Sequence, residues 1–243
     1  MKNYILFAAM MFLSISFSAT AETAQDGMRA FESGDYERSA ILLRQEADSG
    51  NPDSATLYAL QLIQGLGIER DRAQAQIYFI KGASFGSKEA QYLYFFYFGL
   101  GSDDLSLQML RDAAAQGHVA ALSDLGAMYL DGRNVPQDFR EALSVLERAS
   151  RTPNPLFIHG GEVDDRSRAQ LSLSSMHFQG KGTPVNLIIA HMWANVAAAN
   201  GMGYGRIMTQ KMEEMMPTED TITAQNMARI CMETNYETCG NGQ

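Results

Sequence analysis

Gly50, Gly86, Gly117 and Gly201 each close a helix-like run rich in alanine, and the residues between them repeat one order of small, apolar and turn-forming positions. A recurrence of this length constrains the fold more than any other feature. Each unit is one supersecondary piece that cannot bury its apolar face alone, whereas a stack of such pieces can. In residues 51–86 a helical run from Pro52 to Gln64 meets Gly65-Leu66-Gly67, and Asp71 then opens a second run to Ser84. Glycine supplies left-handed backbone where the first helix stops, and the Asp71 carboxylate can cap the amides of the next. The same offsets return in residues 118–153, with Ala121, Leu125, Gly126, Tyr129 and Gly132 leading to Val135, Asp138 and Ala142. They return again in residues 167–201, where Ala169, Leu173, His177, Gly180 and Gly182 lead to Asn186, Ala190, Trp193 and Ala197. These positions fall three or four apart, so each helix carries one apolar stripe.

Composition narrows the function. Apolar residues make up 46% of the 243, and mean hydropathy is −0.19, which fits a soluble chain with a sizeable core and excludes a disordered or fibrous one. Lys and Arg number 19 against 28 Asp and Glu, a net charge of −9, so the basic footprint needed for nucleic acid is missing. Gly82-Ala83-Ser84-Phe85-Gly86 spells the G-x-S-x-G string of serine hydrolases, but it falls at the end of a helical run, without the strand-to-helix turn that exposes such a nucleophile. His159, Glu162, Asp164 and Asp165 lack a recognised ligand spacing and read as a solvated acidic loop. No catalytic residue, metal site or cofactor is expected.

Met1 to Ala21 begins with Lys2, continues through the uncharged run Tyr4 to Phe17 and ends in Ala19-Thr20-Ala21, the pattern of a secretory signal peptide. The run is shorter than the roughly 20 residues that span a bilayer, so no stable membrane insertion is expected after cleavage. The mature chain is expected in the periplasm or secreted space. Export would place Cys231 and Cys239, the only two cysteines, in an oxidising compartment where they are expected to join, two free thiols being the alternative.

The units resemble the Sel1-like repeat, a relative of the tetratricopeptide repeat. In residues 51–86 the matching positions are Ala59, Gly65, Gly67, Ile68, Asp71, Ala75, Tyr78, Phe79, Lys81, Ala83 and Gly86, and Ala30 to Ala40 resembles the plainer tetratricopeptide hairpin. The resemblance implies an all-α, right-handed α-solenoid of stacked antiparallel helix hairpins with a C-terminal helical cap. The expected organisation is a signal peptide at 1–21, units at about 24–50, 51–86, 87–117, 118–153 and 167–201, an insertion at 154–168, and the cap over 202–243. The cap, read as lacking the repeat register, is expected to hold two helices, Tyr204 to Met215 and Glu219 to Asn235, with Thr218 capping the second.

In tetratricopeptide-like stacks the first helix of each hairpin lines the concave surface. The positions two and six after its opening small residue then give Thr56 and Leu60, Tyr92 and Phe96, Ser123 and Ala127, and Leu171 and Ser175. Tyr92, Phe96, Ser123, Leu171 and Ser175 are therefore expected to bind, with Phe157 of the insertion as a second contact; for Tyr92 and Phe96 simple packing is an equal alternative. The function implied is a non-catalytic adaptor or regulator, a monomer that takes a protein or peptide partner in this groove. A binder or hydrolase of cell-wall compounds, as in cysteine-rich relatives, is the alternative, and this chain lacks their cysteine pair in each repeat.

Overall fold

The computed structural model describes residues 25–99, 103–152 and 165–240, and among them lie twelve helices and no strand. Contacts divide the chain into one unit ending at Met109 and a second beginning at Leu110. The first holds α1 (25–32), α2 (Tyr36–Asp48), α3 (Pro52–Gln64), α4 (Arg72–Ser84), α5 (Lys88–Phe98) and the start of α6 (Asp104–Ala115). The second holds the rest of α6, then α7 (Val119–Asp131), α8 (Phe139–Arg151), α9 (Asp165–Gln179), α10 (Leu187–Ala199), α11 (Tyr204–Glu213) and α12 (Thr218–Glu233). The signal sequence and Phe157 lie outside the described residues.

Helix starts follow the side chains that can accept from free amides. Asn51 accepts from the Asp53 and Ser54 amides, Asp71 from Gln74, Ser87 from Ala90, Asp138 from Arg140 and Glu141, and Asn186 from Ile189. Between the helices of a hairpin, the second glycine of the Gly-x-Gly turn answers to packing as well as to dihedral angle. Gly67 has φ 69°, and a Cβ there would come within 2.2 Å of the Tyr36 carbonyl carbon at the start of α2. Gly182 repeats this against the Phe139 carbonyl oxygen of α8, at 2.4 Å. The turn of one hairpin thus rests on the backbone of the hairpin before it.

The junction between hairpins is also a repeated object. The amides of Asn51, Ser87, His118 and Met202 bond the carbonyls of Glu46, Gly82, Ala113 and Ala197, each just after a glycine with positive φ. The fourth of these opens α11, so the register continues into the cap, contrary to the expectation from sequence. Gly205 takes the place held by Ser54, Ala90, Ala121 and Ala169 in the earlier units. One further detail of the cap differs from expectation. Thr218 is the first residue of α12 and makes no capping bond, since the extended Pro217 precedes it. The two cap helices, α11 and α12, each pack on α10. Residues 165–168, expected in the insertion, form the first turn of α9.

In the first unit Leu43, Ala55, Ala59, Phe79 and Leu93 are fully buried, and the edge of one ring in the Tyr58–Tyr78 pair meets the face of the other at 4.7 Å. Asp48 accepts from Lys81 at 2.8 Å and from the Tyr78 hydroxyl at 3.0 Å, joining α2 to α4. In the second unit the core is Leu122, Leu146, Leu173, Met192 and Trp193. Cys231 and Cys239 are joined by a disulfide that closes the end of α12. Asn235 and Tyr236, both left-handed, turn the tail back, so that Arg151 donates to the Cys239 carbonyl at 2.9 Å and the Tyr236 hydroxyl to Asn200 at 2.9 Å.

Candidate binding cleft

The row two and six residues past the opening small position is, for most of its length, a seam between helices. Thr56 and Leu60 are buried, and the Thr56 hydroxyl lies 3.2 Å from that of Ser87, which opens the next unit. Tyr92 and Ser123, expected to face a ligand, are each only 3% exposed. For Thr56 on α3 and Ser123 on α7 the reason is the register itself: within each unit the row points toward the first helix of the following hairpin, α5 or α9, and is consumed by packing there. Phe96 is 46% exposed, its ring 6.2 Å from Tyr92 and 5.0 Å from Tyr97. Tyr92 and Phe96 belong to the first compact unit, and Ser123, Leu171 and Ser175 to the second.

The seam opens at Leu171 and Ser175. Together with Ser172, Phe178 and Gln179 of α9 they line one wall of a cleft of about 350 Å³. Tyr204, Met208, Lys211 and Met212 of α11 form the other. Spacing on α9 explains the first wall, because residues 171, 175 and 178 fall on one helical face. The second wall owes its position to α10. A Cβ on Gly205 would lie 2.5 Å from the Ala194 carbonyl oxygen and 2.9 Å from the Ala198 amide, so only glycine lets α11 settle so closely on α10. Met212 is buried against Ala190 and Ala194, with Phe178, Met208 and Met216 packed around it. At the far end His191 of α10, fully buried, places Nε2 3.1 Å from Glu213 Oε1. Drawn onto α10 in this way, α11 leaves a gap toward α9.

The floor is apolar and the rim polar. Gln179 donates to the Ser175 hydroxyl at 2.8 Å, and the Ser172 hydroxyl donates to the Arg168 carbonyl at 3.0 Å. The Lys211 ammonium lies 5.6 Å from the centre of the Phe178 ring, within cation–π range, and makes no ion pair among the described residues. One turn before Leu171, the Arg168 guanidinium bonds Asp124 and Asp165, each at 2.9 Å. Burial opposes its charge, but the two carboxylates outweigh that and raise its pKa above the usual arginine value. Asp124, Asp165 and Arg168 together keep a net charge of −1 outside the cleft lining, and Lys211 is the ionised residue among the described ones that line it.

Ser84 of the G-x-S-x-G string donates to the Lys81 carbonyl at the end of α4, as a helix-terminal serine does. His177, half-buried on α9, has its pKa lowered by burial and stands outside the cleft lining. Among the described residues no group of three or more His, Cys, Asp or Glu is placed to hold a metal, and no helix is long and apolar enough to cross a membrane.

The Sel1 repeat family profile matches residues 52–86, 119–151 and 167–202, the same three segments that carry the hairpin register. The chain is a Sel1-repeat protein. No curated protein matches its sequence. Among solved structures, this Sel1-repeat protein is similar to a protective antigen of uropathogenic Escherichia coli strains that displays an SLR fold, with TM-score 0.69 and 24% identity over 82% of this chain. It spans 42% of the length of that antigen. It is also similar to a Sel1 repeat protein from Oxalobacter formigenes, with TM-score 0.68 and 20% identity over 88% of this chain and 86% of the other. Both likenesses establish the solenoid fold of helix hairpins. Sel1 repeats are typically protein-interaction scaffolds and generally not enzymes.

Proposed function

We propose that this Sel1-repeat protein is a non-catalytic adaptor or regulator of the bacterial periplasm or secreted space that binds a protein or peptide partner in the cleft between α9 and α11. The cleft carries the reading. It pairs an apolar floor with hydroxyl and amide groups at the rim, the combination that takes a side chain and its flanking backbone. The features of residues 1–21 and the disulfide between the only two cysteines support an exported chain.

The test is a photo-crosslinking residue in place of Leu171, irradiated in the native host. A discrete crosslinked product that disappears when Ser175→Trp fills the cleft supports the proposal. Crosslinking that Ser175→Trp leaves unchanged, or none at all, overturns it. Loss of crosslinking when the signal sequence is deleted tests the compartment separately.

A further inference from the structure

We infer that the occupant of the α9–α11 cleft is an extended protein segment in which a bulky apolar side chain is followed at once by an acidic one. The inference rests on the adaptor reading above and adds the chemistry of the ligand. Leu171, Phe178, Met208 and Met212 supply a floor sized for a large side chain and not for a folded surface, since the cleft volume is about 350 Å³. The protein as a whole carries a charge of −9, yet among the described residues that line this cleft the ionised one is a cation, Lys211. Its ammonium sits 5.6 Å from the Phe178 ring centre. The charge is thus beside the apolar floor, and consecutive residues of a peptide, about 3.8 Å apart at Cα, reach both at once. Lys211 is itself exposed at the edge of that floor, so a carboxylate there gains what an exposed ion pair gives while the preceding side chain is buried. Ser172, Ser175 and Gln179 stand on the opposite wall, where hydroxyl and amide groups can bond the backbone of an extended chain.

The experiment is fluorescence anisotropy on the full chain. The probes are labelled, terminally blocked peptides in a Gly-Ser background that carry Phe-Asp, Phe-Asn or Ala-Asp at the centre. Wild type is expected to bind the Phe-Asp probe about tenfold more tightly than the Ala-Asp probe and about threefold more tightly than the Phe-Asn probe. Lys211→Met is expected to bind Phe-Asp and Phe-Asn equally, at the wild-type Phe-Asn level, and Ser175→Trp to bind neither. Circular dichroism and thermal melting of both variants verify that they fold. Equal wild-type affinity for Phe-Asp and Phe-Asn, preference retained in Lys211→Met, or full binding by Ser175→Trp overturns the inference. So does a wild-type dimer in sedimentation that Ser175→Trp dissociates, because a second copy then fills the cleft. If the Leu171 crosslink forms but the probes are not discriminated, the ligand chemistry is wrong and the adaptor reading stands; if the crosslink also fails, both fall.

Discussion

His191 Nε2 of α10 lies 3.1 Å from Glu213 Oε1 of α11, and the other ring nitrogen of this fully buried histidine has no partner among the described residues. Among them Glu213 is therefore the one polar group answering the ring. Glu213→Ala leaves a buried imidazole with nothing to bond, at a cost of about 1–3 kcal/mol. Urea unfolding of the variant is expected to show that loss, and an unchanged midpoint would mean that the bond contributes nothing.

Gly205→Ala is expected to be worse than a helix propensity scale suggests. Alanine favours helix over glycine by about 1 kcal/mol, but here its methyl would meet the Ala194 carbonyl oxygen at 2.5 Å. Backbone cannot move aside as a side chain does, so α11 must lift from α10, with a net destabilisation of about 1–3 kcal/mol typical of overpacking. A raised melting temperature would show that the contact is looser than described.

Acid should weaken the first unit through Asp48. The hydrogen bond from Lys81 does most to hold its carboxyl below the usual value of 3.8, with Tyr78 and Arg44 adding to the effect and burial opposing it. A depressed folded pKa means that the stabilisation is complete above the unfolded value and disappears as pH falls through the folded one. The stability difference between wild type and Asp48→Asn is therefore expected to be constant from neutral pH down to about 4 and to shrink below it. Urea midpoints of both proteins across that range check the sign.

Tyr92 and Phe96 should part company under mutation. Tyr92→Ala empties a site that is 3% exposed and should destabilise by about 3 kcal/mol or more, while Phe96→Ala, at a position 46% exposed, should cost far less. Thermal melts of the two single variants decide this. Equal small losses would return Tyr92 to the list of candidate ligand contacts.

Reducing the Cys231–Cys239 bond opens a short loop, for which chain entropy gives about 2.5 kcal/mol. Mass spectrometry of exported, non-reduced protein should find no free thiol. Melts with and without reductant should differ by that order.

The hairpins were legible because their signals are local. Asn51, Asp71 and Asn186 cap the helices that follow, and glycines stop the ones before. Leu171 and Ser175 were legible by offset from Ala169. Their neighbours on the second wall were not, because after Gly205 α11 carries none of the later repeat positions, with no Gly-x-Gly turn and capping Asp or Asn behind it. Gly201 and the small residue four places later were the available signal, and they mark Gly205 as that position. The burial of Tyr92, for which packing is the equal alternative, and of Ser123 is not legible in the same way: an offset says which way a side chain points, but not how closely a neighbouring helix approaches. That distance depends on contacts outside the helix itself, as at Gly205 on Ala194 for α11.

Because α11 opens in register at Gly205 while α12 turns back to pack on α10, one side of the last full hairpin is covered from within. An array built by copying one module offers the same docking side at every member, and duplication or slippage can use it again. Here the helix that covers that side has its end covalently closed and bonded to Arg151. Stacking another module on α10 would therefore begin by rewriting the residues beyond Glu213.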